Sequence, residues 1–342
     1  MRSSTLILWL LGAALPVVAV LACGLGAVAV TPGEIFQVLV ARLGLAEGNA
    51  VAPQADAIVW VIRLPRVLMS LLVGGSLALC GTAMQGLFRN PLADPSLIGV
   101  SGGAALSAAL VIVLGGPWLA LVQQQLGLPL LPVATFVGAV GSTLLIFALA
   151  REKRRTNVAT MLLAGIAINA LAGAGVGLLT YLADDAQLRS LTFWTLGSLG
   201  GAQWTSTGWL ALATLFTLAL LLPMAKSFNA LSLGETEARH LGVPVEVLKR
   251  RVIVATGLAV GTSVAFCGLI GFVGLVVPHL LRLAGGAQHR YLLPASALGG
   301  GVLLTAADTL ARTLVPPAEV PIGIVTSMVG APVFLALLFN KQ

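Results

Sequence analysis

Charged side chains are scarce in this chain of 342 residues, and their scarcity excludes a soluble globular protein. Asp, Glu, Lys and Arg make up 9% of the sequence, whereas hydrophobic residues make up 58%. A soluble domain of this length could not bury so much apolar surface, so the solvent of the chain must be the lipid bilayer. The net charge of +7 resides in short segments between apolar runs. We therefore expect no nucleic-acid partner.

Cysteine is also sparse, and its placement excludes a disulfide framework. Cys23, Cys80 and Cys267 all lie within apolar runs, and the sequence contains no CxxC pair. We interpret the three thiols as small buried hydrophobic groups. The sequence also lacks an HExxH motif or an equivalent. These absences argue against a membrane enzyme, and we predict neither catalytic residues nor a metal site.

A phosphate-binding loop is missing as well. No GxxxxGK[ST] motif occurs, and none of the four lysines follows a glycine. Such a loop cradles nucleotide phosphates with its backbone amides, so this chain has no such means of binding ATP. We predict that it binds no cofactor and that any ATP is used by a separate ATPase subunit.

Long apolar runs are what the sequence has in abundance. They are about 20 residues long and do not alternate, which favours membrane-spanning helices over a closed barrel. We predict a single all-α polytopic domain covering residues 1–342. The first run is too long for the apolar core of a cleaved signal peptide, so we interpret it as a span. Ten spans are predicted, at 6–30, 67–87, 97–114, 131–150, 158–182, 205–225, 252–268, 269–284, 291–311 and 322–339.

The basic residues predict how these spans are oriented. If the N-terminus is cytoplasmic, fourteen of the 19 basic residues lie on the cytoplasmic side, including the clusters at 151–155 and 249–251. This bias agrees with the positive-inside rule. We expect a multi-pass protein of the inner (plasma) membrane with both termini in the cytoplasm.

The sequence also contains a weak internal repeat. Residues 73–99 match residues 260–286 at eight positions without gaps, including the dipeptides Cys80-Gly81 and Cys267-Gly268. The two windows begin in the second and seventh spans, which run in opposite directions. We therefore predict an inverted repeat of spans 2–5 and 7–10, a plan frequent among transporters. The alternative is that small residues recur in any closely packed bundle.

A stiff polar stretch, FRNPLADPSLIGVSGGA at 88–104, joins the second and third spans. Pro91 and Pro95 stop helix continuation, while Asn90 and Asp94 can bond nearby backbone groups. We predict a rigid corner here, with Ser96 capping the next helix. A water channel is disfavoured because no second Asn-Pro motif occurs.

Four stretches together resemble the FecCD family of ABC importer permeases. They are NPLADPSLIGVSGGA, LGETEARHLGV at 233–243, GFVGLVVPHLLR at 271–282 and VPIGIVTSMVGAPVFLALL at 320–338. The resemblance implies ten spans, a second copy of the chain, two cytoplasmic ATPase subunits and a periplasmic substrate-binding protein. It also implies transport of iron-siderophores, haem or cobalamin, with the corner near the ATPase-facing end.

The largest polar cytoplasmic segment is the predicted site of ATPase coupling. A short helix at 235–240 is expected, with small and apolar positions available to a partner and a break after it. The alternative is a solvated loop helix. The predicted coupling residues are Gly234, Glu235, Glu237, Ala238, Arg239, Leu241 and Gly242.

Three arginines on the other side are predicted to dock the binding protein. They are Arg63, Arg66 and Arg312, and the resemblance to cobalamin permeases implies that they receive acidic residues. We expect them to be little buried and to steer encounter. The alternative is that they anchor the chain at the membrane interface.

The family resemblance places the translocation path along the fifth span. Asn169 is its only amide, and Gly173 and Gly177 leave a smooth face. The following stretch, 184–204, resembles haem permeases more than those for siderophores or cobalamin. Arg189 is therefore predicted to meet a haem propionate, unless it pairs with Asp184 or Asp185.

The histidines and the alternatives complete the predictions. We interpret His279 as structural and expect no haem ligand among the histidines. A ferric siderophore or cobalamin is the alternative substrate. A stand-alone secondary transporter is the alternative of a different class, but such carriers keep ionisable groups in mid-membrane for ion coupling.

Overall fold

The apolar runs fold as helices throughout the described part of the chain. The computed structural model describes residues 2–26, 28–45, 52–116, 125, 127, 129–152, 155–315 and 318–339. Lys153, Arg154 and Lys341, which contribute to the predicted orientation, lie outside the described residues. The first helices are α1 (Arg2–Gly24), α2 (Pro32–Arg42), α3 (Pro53–Asp56), a π-helix (Ala57–Arg63), α4 (Leu64–Phe88), α5 (Val100–Leu114) and α6 (Leu130–Leu149).

A small hairpin separates the two halves of the chain. Its strands, β1 (Arg151–Glu152) and β2 (Arg155–Thr156), pair antiparallel. The remaining helices are α7 (Val158–Leu182), α8 (Asp185–Leu196), α9 (Trp204–Leu221), α10 (Ala225–Leu231), α11 (Glu235–His240), α12 (Val245–Cys267), α13 (Val273–Gly285), α14 (His289–Thr313) and α15 (Ile322–Phe339).

These helices confirm the all-α polytopic fold. By length and composition, seven of the described helices can cross a membrane, and three apolar helices are shorter, namely α5, α13 and α15. Together they follow the order of the ten predicted spans. The number that crosses the bilayer stays a prediction, because a helix as short as α13 does not reach across about 30 Å of hydrocarbon.

Helix α4 lies at the centre of the bundle, and glycines bring its backbone against two neighbours. A Cβ atom on Gly74 would lie 2.2 Å from the carbonyl oxygen of Gly300 in α14. A Cβ on Gly81 would lie 1.8 Å from the carbonyl oxygen of Gly274 in α13. Only glycine permits such backbone contact. The three helices are therefore fixed to one another at single residues.

The two ends of the bundle are named after one residue each, Arg66 and Lys249. At the Arg66 end, α1 and α14 finish and α4 begins, so that Arg66 of α4 meets Asp308 of α14. At the Lys249 end, α4 and α14 have their opposite termini, and α12 begins beside α11.

The reversal predicted in CGLIGFVG is present, but only one of its two helices is short. Helix α12 begins at Val245, seven residues before the predicted span, and ends at Cys267. Gly268 and Phe272 both have positive φ, at 69° and 67°, and α13 follows directly. The earlier start places the basic residues at 249–251 inside a helix instead of in a loop.

Both short helices that follow a reversal begin inside the bundle. Asn169 lies about 16 Å along α7 from its first residue, and its amide donates to the carbonyl oxygen of Ser96 over 3.0 Å. The corner therefore starts at the Lys249 end but then enters the bundle. From the other direction, α13 starts beside the middle of α4. The two helix starts border a cavity of about 280 Å³ that Asp94, Ser101 and Phe272 help to line.

The positions of the two reversals can be compared with the predicted repeat. In each window a long helix leads through a reversal to a short helix that starts in the interior. Cys80-Gly81 lies within α4, however, whereas Cys267-Gly268 lies where α12 ends. The reversals therefore fall at different positions of the ungapped match, and the inverted repeat stays a prediction.

Candidate transport, docking and coupling sites

The polar corner is built from side chains that bond to their own backbone. Asn90 accepts a hydrogen bond from the amide of Leu92, and Asp94 accepts one from the amide of Ser96, both over 2.9 Å. Asp94 thereby caps a 3-10 turn, Pro95–Ile98. The prediction that Ser96 caps the next helix is wrong, because Gly99 stands at the N-cap of α5 and provides no side chain.

Helix α7, the predicted path helix, has two different faces. Asn169 packs towards α5, where a Cβ on Gly102 would lie 2.3 Å from its Oδ1 atom. Gly173 and Gly177 are exposed, and a Cβ at either would meet nothing within 4 Å. The open face is therefore the one with these two glycines. Asn169 serves the packed face through its bond to Ser96.

Arg189 is exposed on α8, the helix after α7. Asp184 caps this helix by accepting a hydrogen bond from the amide of Gln187 over 2.8 Å. No ion pair joins Arg189 to Asp184 or Asp185 within the described residues. The guanidinium is therefore placed where a ligand can reach it.

The three arginines predicted at an exposed docking rim are instead buried. Arg63 and Arg66 are 5% and 8% exposed, and the side chain of Arg312 is 7% exposed. Two of them bind the last turn of α1, whose carbonyl groups have no partner within the helix. Arg63 donates to Cys23 O at 2.6 Å, to Gly24 O at 2.9 Å and to Val28 O, and Arg312 donates to Ala22 O.

Arg66 forms a buried network with two carboxylates. Its Nε and Nη2 atoms donate to Asp308 at 2.9–3.2 Å, and its Nη1 and Nη2 atoms donate to Glu319 at 2.9 Å. The Asp308 side chain is 3% exposed, whereas that of Glu319 is 47% exposed. The guanidinium holds the pKa of Glu319 below its usual range, mainly through these hydrogen bonds. Direct docking by Arg66 would require it to leave both partners.

Helix α11, the predicted coupling helix, is docked on one side and open on the other. Ala238 is fully buried, so the expectation that it faces a partner groove is wrong. Leu241 is 64% exposed, and Glu237 is also exposed. Gly234 and Gly242 flank the helix with φ of 129° and 79°, conformations that favour glycine. The face available to a partner therefore carries Glu237 and Leu241.

Glu235 and Arg239 of α11 belong to a charged cluster that the sequence did not predict. Glu235 contacts Arg239 at 3.3 Å and the ammonium of Lys249 at 2.8 Å. Lys249 is 1% exposed, although it belongs to a run of three basic residues. Its position could have been found from the helical spacing of Val245, Lys249 and Val252, which places it on an apolar face.

The histidines and cysteines show no shared centre. Among the described residues, no group of three or more His, Cys, Asp and Glu side chains could hold a metal ion. The Nδ1 atom of His289 lies 2.9 Å from Asn229 Oδ1, and its ring stacks on Phe228. All three cysteines are buried, as predicted.

Known proteins resemble this chain in both sequence and structure. The family model for the FecCD transport family matches residues 14–340. The hemin transport system permease protein HmuU of Yersinia pestis is 50% identical over 288 residues, which are 83% of this chain and 84% of that protein. The vitamin B12 import system permease protein BtuC of Salmonella typhimurium is 42% identical over 297 residues, covering 87% of this chain and 88% of that protein. A solved inward-facing structure of a metal-chelate type ABC transporter aligns with a TM-score of 0.83 and 33% identity, covering 98% of this chain and 99% of the other.

Proposed function

Because the chain belongs to the FecCD transport family, we propose that it is the membrane subunit through which haem enters the cell. The chain is an ABC importer permease, and ATP hydrolysis takes place in separate ATPase subunits. Haem is favoured because identity to the hemin permease is 50%, against 42% for the vitamin B12 permeases. Membership of this family excludes a stand-alone secondary transporter. Cobalamin is the second candidate substrate, supported by the similarity to the vitamin B12 permeases.

The path is proposed to lie on the open face of α7, between two copies of the chain. Gly173 and Gly177 are exposed there and have no neighbour that a side chain would meet. Such a face suits the flat, mostly apolar haem ring. The exposed Arg189 beyond the end of α7 would meet a propionate as haem enters. Asn169 would support the path indirectly, by fixing α7 to the corner at Ser96.

The orientation and the partners follow from the positive-inside bias and the family. The Lys249 end faces the cytoplasm of this multi-pass inner-membrane protein, with both termini on that side. Two ATPase subunits would bind there, one on each copy, against Glu237 and Leu241 of α11. A periplasmic binding protein would deliver substrate at the Arg66 end.

We propose that the three arginines act in docking only indirectly, through the segments that they hold. Arg63 and Arg312 fix the end of α1, and Arg66 fixes Glu319. Their guanidinium groups are bonded within the chain, so they would shape the docking surface instead of pairing with the partner. Charge reversal at Arg66 would therefore disturb folding before it altered encounter.

Uptake of hemin into proteoliposomes tests the substrate. The permease with its ATPase subunits and binding protein should accumulate hemin only when ATP is supplied, and should leave cyanocobalamin and a ferric siderophore outside. Transport of either of these compounds, with no transport of hemin, would overturn the haem proposal. Uptake by the permease alone, driven by an ion gradient, would overturn the importer mechanism.

Arg189→Ala tests the entry of haem in the same assay. The variant should lower hemin uptake while basal ATP hydrolysis stays unchanged, and Arg189→Lys should restore part of it because charge survives without the bidentate fork. Arg42→Ala is the matched control, since Arg42 is exposed on the same predicted side but pairs with Asp56 at 2.5 Å. Full hemin transport by Arg189→Ala would exclude contact with a propionate.

A further inference from the structure

Lys249 is the only described lysine that is fully buried, and it lies where three segments meet. Its Nζ atom donates to the carbonyl oxygen of Thr156 over 2.6 Å and contacts Glu235 at 2.8 Å and Glu246 at 3.5 Å. A buried ammonium without such partners would be strongly destabilising, so the position of each partner is tied to that of the others.

Glu246 closes the cluster on the side of the hairpin. Its Oε2 atom accepts a hydrogen bond from the amide of Thr156 over 2.9 Å, while its Oε1 atom contacts Lys249 and Arg239 at 3.5 Å. Thr156 is thus held through both its amide and its carbonyl group. Two carboxylates and two cations compensate one another, and the cluster carries no net charge.

The cluster lies directly before the proposed path helix. Thr156 is followed by Asn157, the N-cap of α7, which accepts hydrogen bonds from the amides of Ala159 and Thr160. Lys249 is therefore connected to the first turn of α7 through one hydrogen bond, to Thr156, and through the N-cap residue Asn157 that follows it. Glu235, at the other side of Lys249, is the first residue of α11.

We propose that Lys249 is a positioning residue that joins α11 to the start of α7, so that a displacement of α11 moves the end of the path helix. The inference rests on the proposed role of α11 as the ATPase contact. It assigns the transmission of movement from α11 to α7 to the contacts of Lys249 with Glu235 and Thr156, instead of to the bundle as a whole. No contact with substrate is involved.

Spin labels on the two connected elements test this connection without depending on the substrate. Thr236→Cys in α11 and Thr160→Cys in α7 replace exposed residues, and the three native cysteines are buried. In the assembled importer, the distance between the two copies is measured at each label, without nucleotide and with ATP and vanadate. In the parent chain we expect both distances to change.

Lys249→Met removes the ammonium but keeps an unbranched side chain. We expect the change at Thr236 to persist and the change at Thr160 to be lost. Arg250→Met is the matched control, because Arg250 is the next residue and is exposed. It should leave both changes intact. An undiminished change at Thr160 in Lys249→Met would overturn the proposal.

The remaining outcomes are also decisive. If the label at Thr236 in the parent chain does not respond to nucleotide, the proposed role of α11 fails, and this inference fails with it. If Lys249→Met does not assemble, the neutral pair Glu235→Gln with Lys249→Met removes one charge of each sign. Assembly of that double variant with loss of the change at Thr160 supports the connection. Failure of both variants to assemble overturns it, since the cluster would then serve folding alone.

Discussion

At each end of the bundle a buried cation lies between two carboxylates, Arg66 at one end and Lys249 at the other, but the two clusters are built differently. At the Arg66 end, a planar guanidinium makes bidentate contacts with Asp308 and Glu319. At the Lys249 end, a compact ammonium contacts two carboxylates and a carbonyl oxygen. The bidentate geometry fixes orientation as well as distance, whereas an ammonium can turn among its partners.

The partners differ in burial as well. The Asp308 side chain is 3% exposed, while those of Glu235 and Glu246 are 30% and 34% exposed. Water can reach Glu319 and both carboxylates of the Lys249 end, whereas it cannot reach Asp308. The comparison teaches that a buried cation between two carboxylates can fix side chains through bidentate bonds at one end of a transporter and join separate segments at the other end.

Removal of Asp308 should have the largest effect on stability. Asp308→Ala leaves the Arg66 guanidinium buried with only the half-exposed Glu319, and breaking a buried pair in this way costs about 3–5 kcal/mol. Denaturant unfolding of the purified protein in detergent measures the loss. Asp185→Ala, which removes an exposed carboxylate, is the control and should change little. Equal stability of the two variants would contradict a fixed Arg66 end.

Arg66→Lys should have the next largest effect, because it keeps the charge and removes the fork. Lysine cannot bond both carboxylates bidentately, and the loss of charged hydrogen bonds should cost about 1.5–3 kcal/mol. Denaturant unfolding of the purified variant in detergent measures this loss. If Arg66→Lys is as stable as the parent protein, geometry contributes nothing beyond charge, and the contrast between the ends disappears.

Glu235→Gln should affect stability less and coupling more. Glu235 is partly exposed, and Lys249 keeps the carbonyl oxygen of Thr156 and the carboxylate of Glu246 as partners when Glu235 is neutralised. Denaturant unfolding should therefore change little, whereas the ratio of hemin transported to ATP hydrolysed should fall. A large loss of stability with an unchanged ratio would show that the Lys249 end is as rigid as the Arg66 end.

Acid should produce the smallest effect, at Glu319. Arg66 holds the pKa of this carboxyl below its usual value of 4.5, so the pair stabilises the fold above that value. The contribution is lost as the pH falls below 4.5 through the lowered pKa. Glu319→Gln should therefore reduce the acid sensitivity of thermal unfolding, most visibly at low salt because Glu319 is half exposed. An unchanged acid sensitivity in this variant would contradict the prediction.

The contrast between the two ends also shows what the sequence can and cannot predict. The apolar runs predict the helices because each apolar residue contributes independently to membrane burial. The motifs identify the family through residues close in sequence. Arg66, by contrast, meets a partner 242 residues away, and local patterns contain no information on such a pair.

Lys249 illustrates a different limit. The run at 249–251 predicts a cytoplasmic side from its total charge, but its three residues have different environments, since Lys249 is buried and Arg250 and Arg251 are exposed. The difference follows from the extension of α12 to Val245, which the hydropathy of the run did not predict. The sequence predicts Asn169, Gly173 and Gly177 along one path, but Asn169 lies on the packed face of α7 because its amide bonds to Ser96, 73 residues away.

The separation of Arg66 from Asp308 along the chain has a consequence for biosynthesis. The ribosome completes α4 long before α14, and at about 5–20 residues per second the interval between Arg66 and Asp308 is roughly 12–48 s. Throughout that time α4 has neither the glycine contact at Gly300 nor the carboxylate that compensates its arginine. Until α14 emerges, the Arg66 guanidinium must be hydrated at the membrane interface, which its place in the first turn of α4 allows.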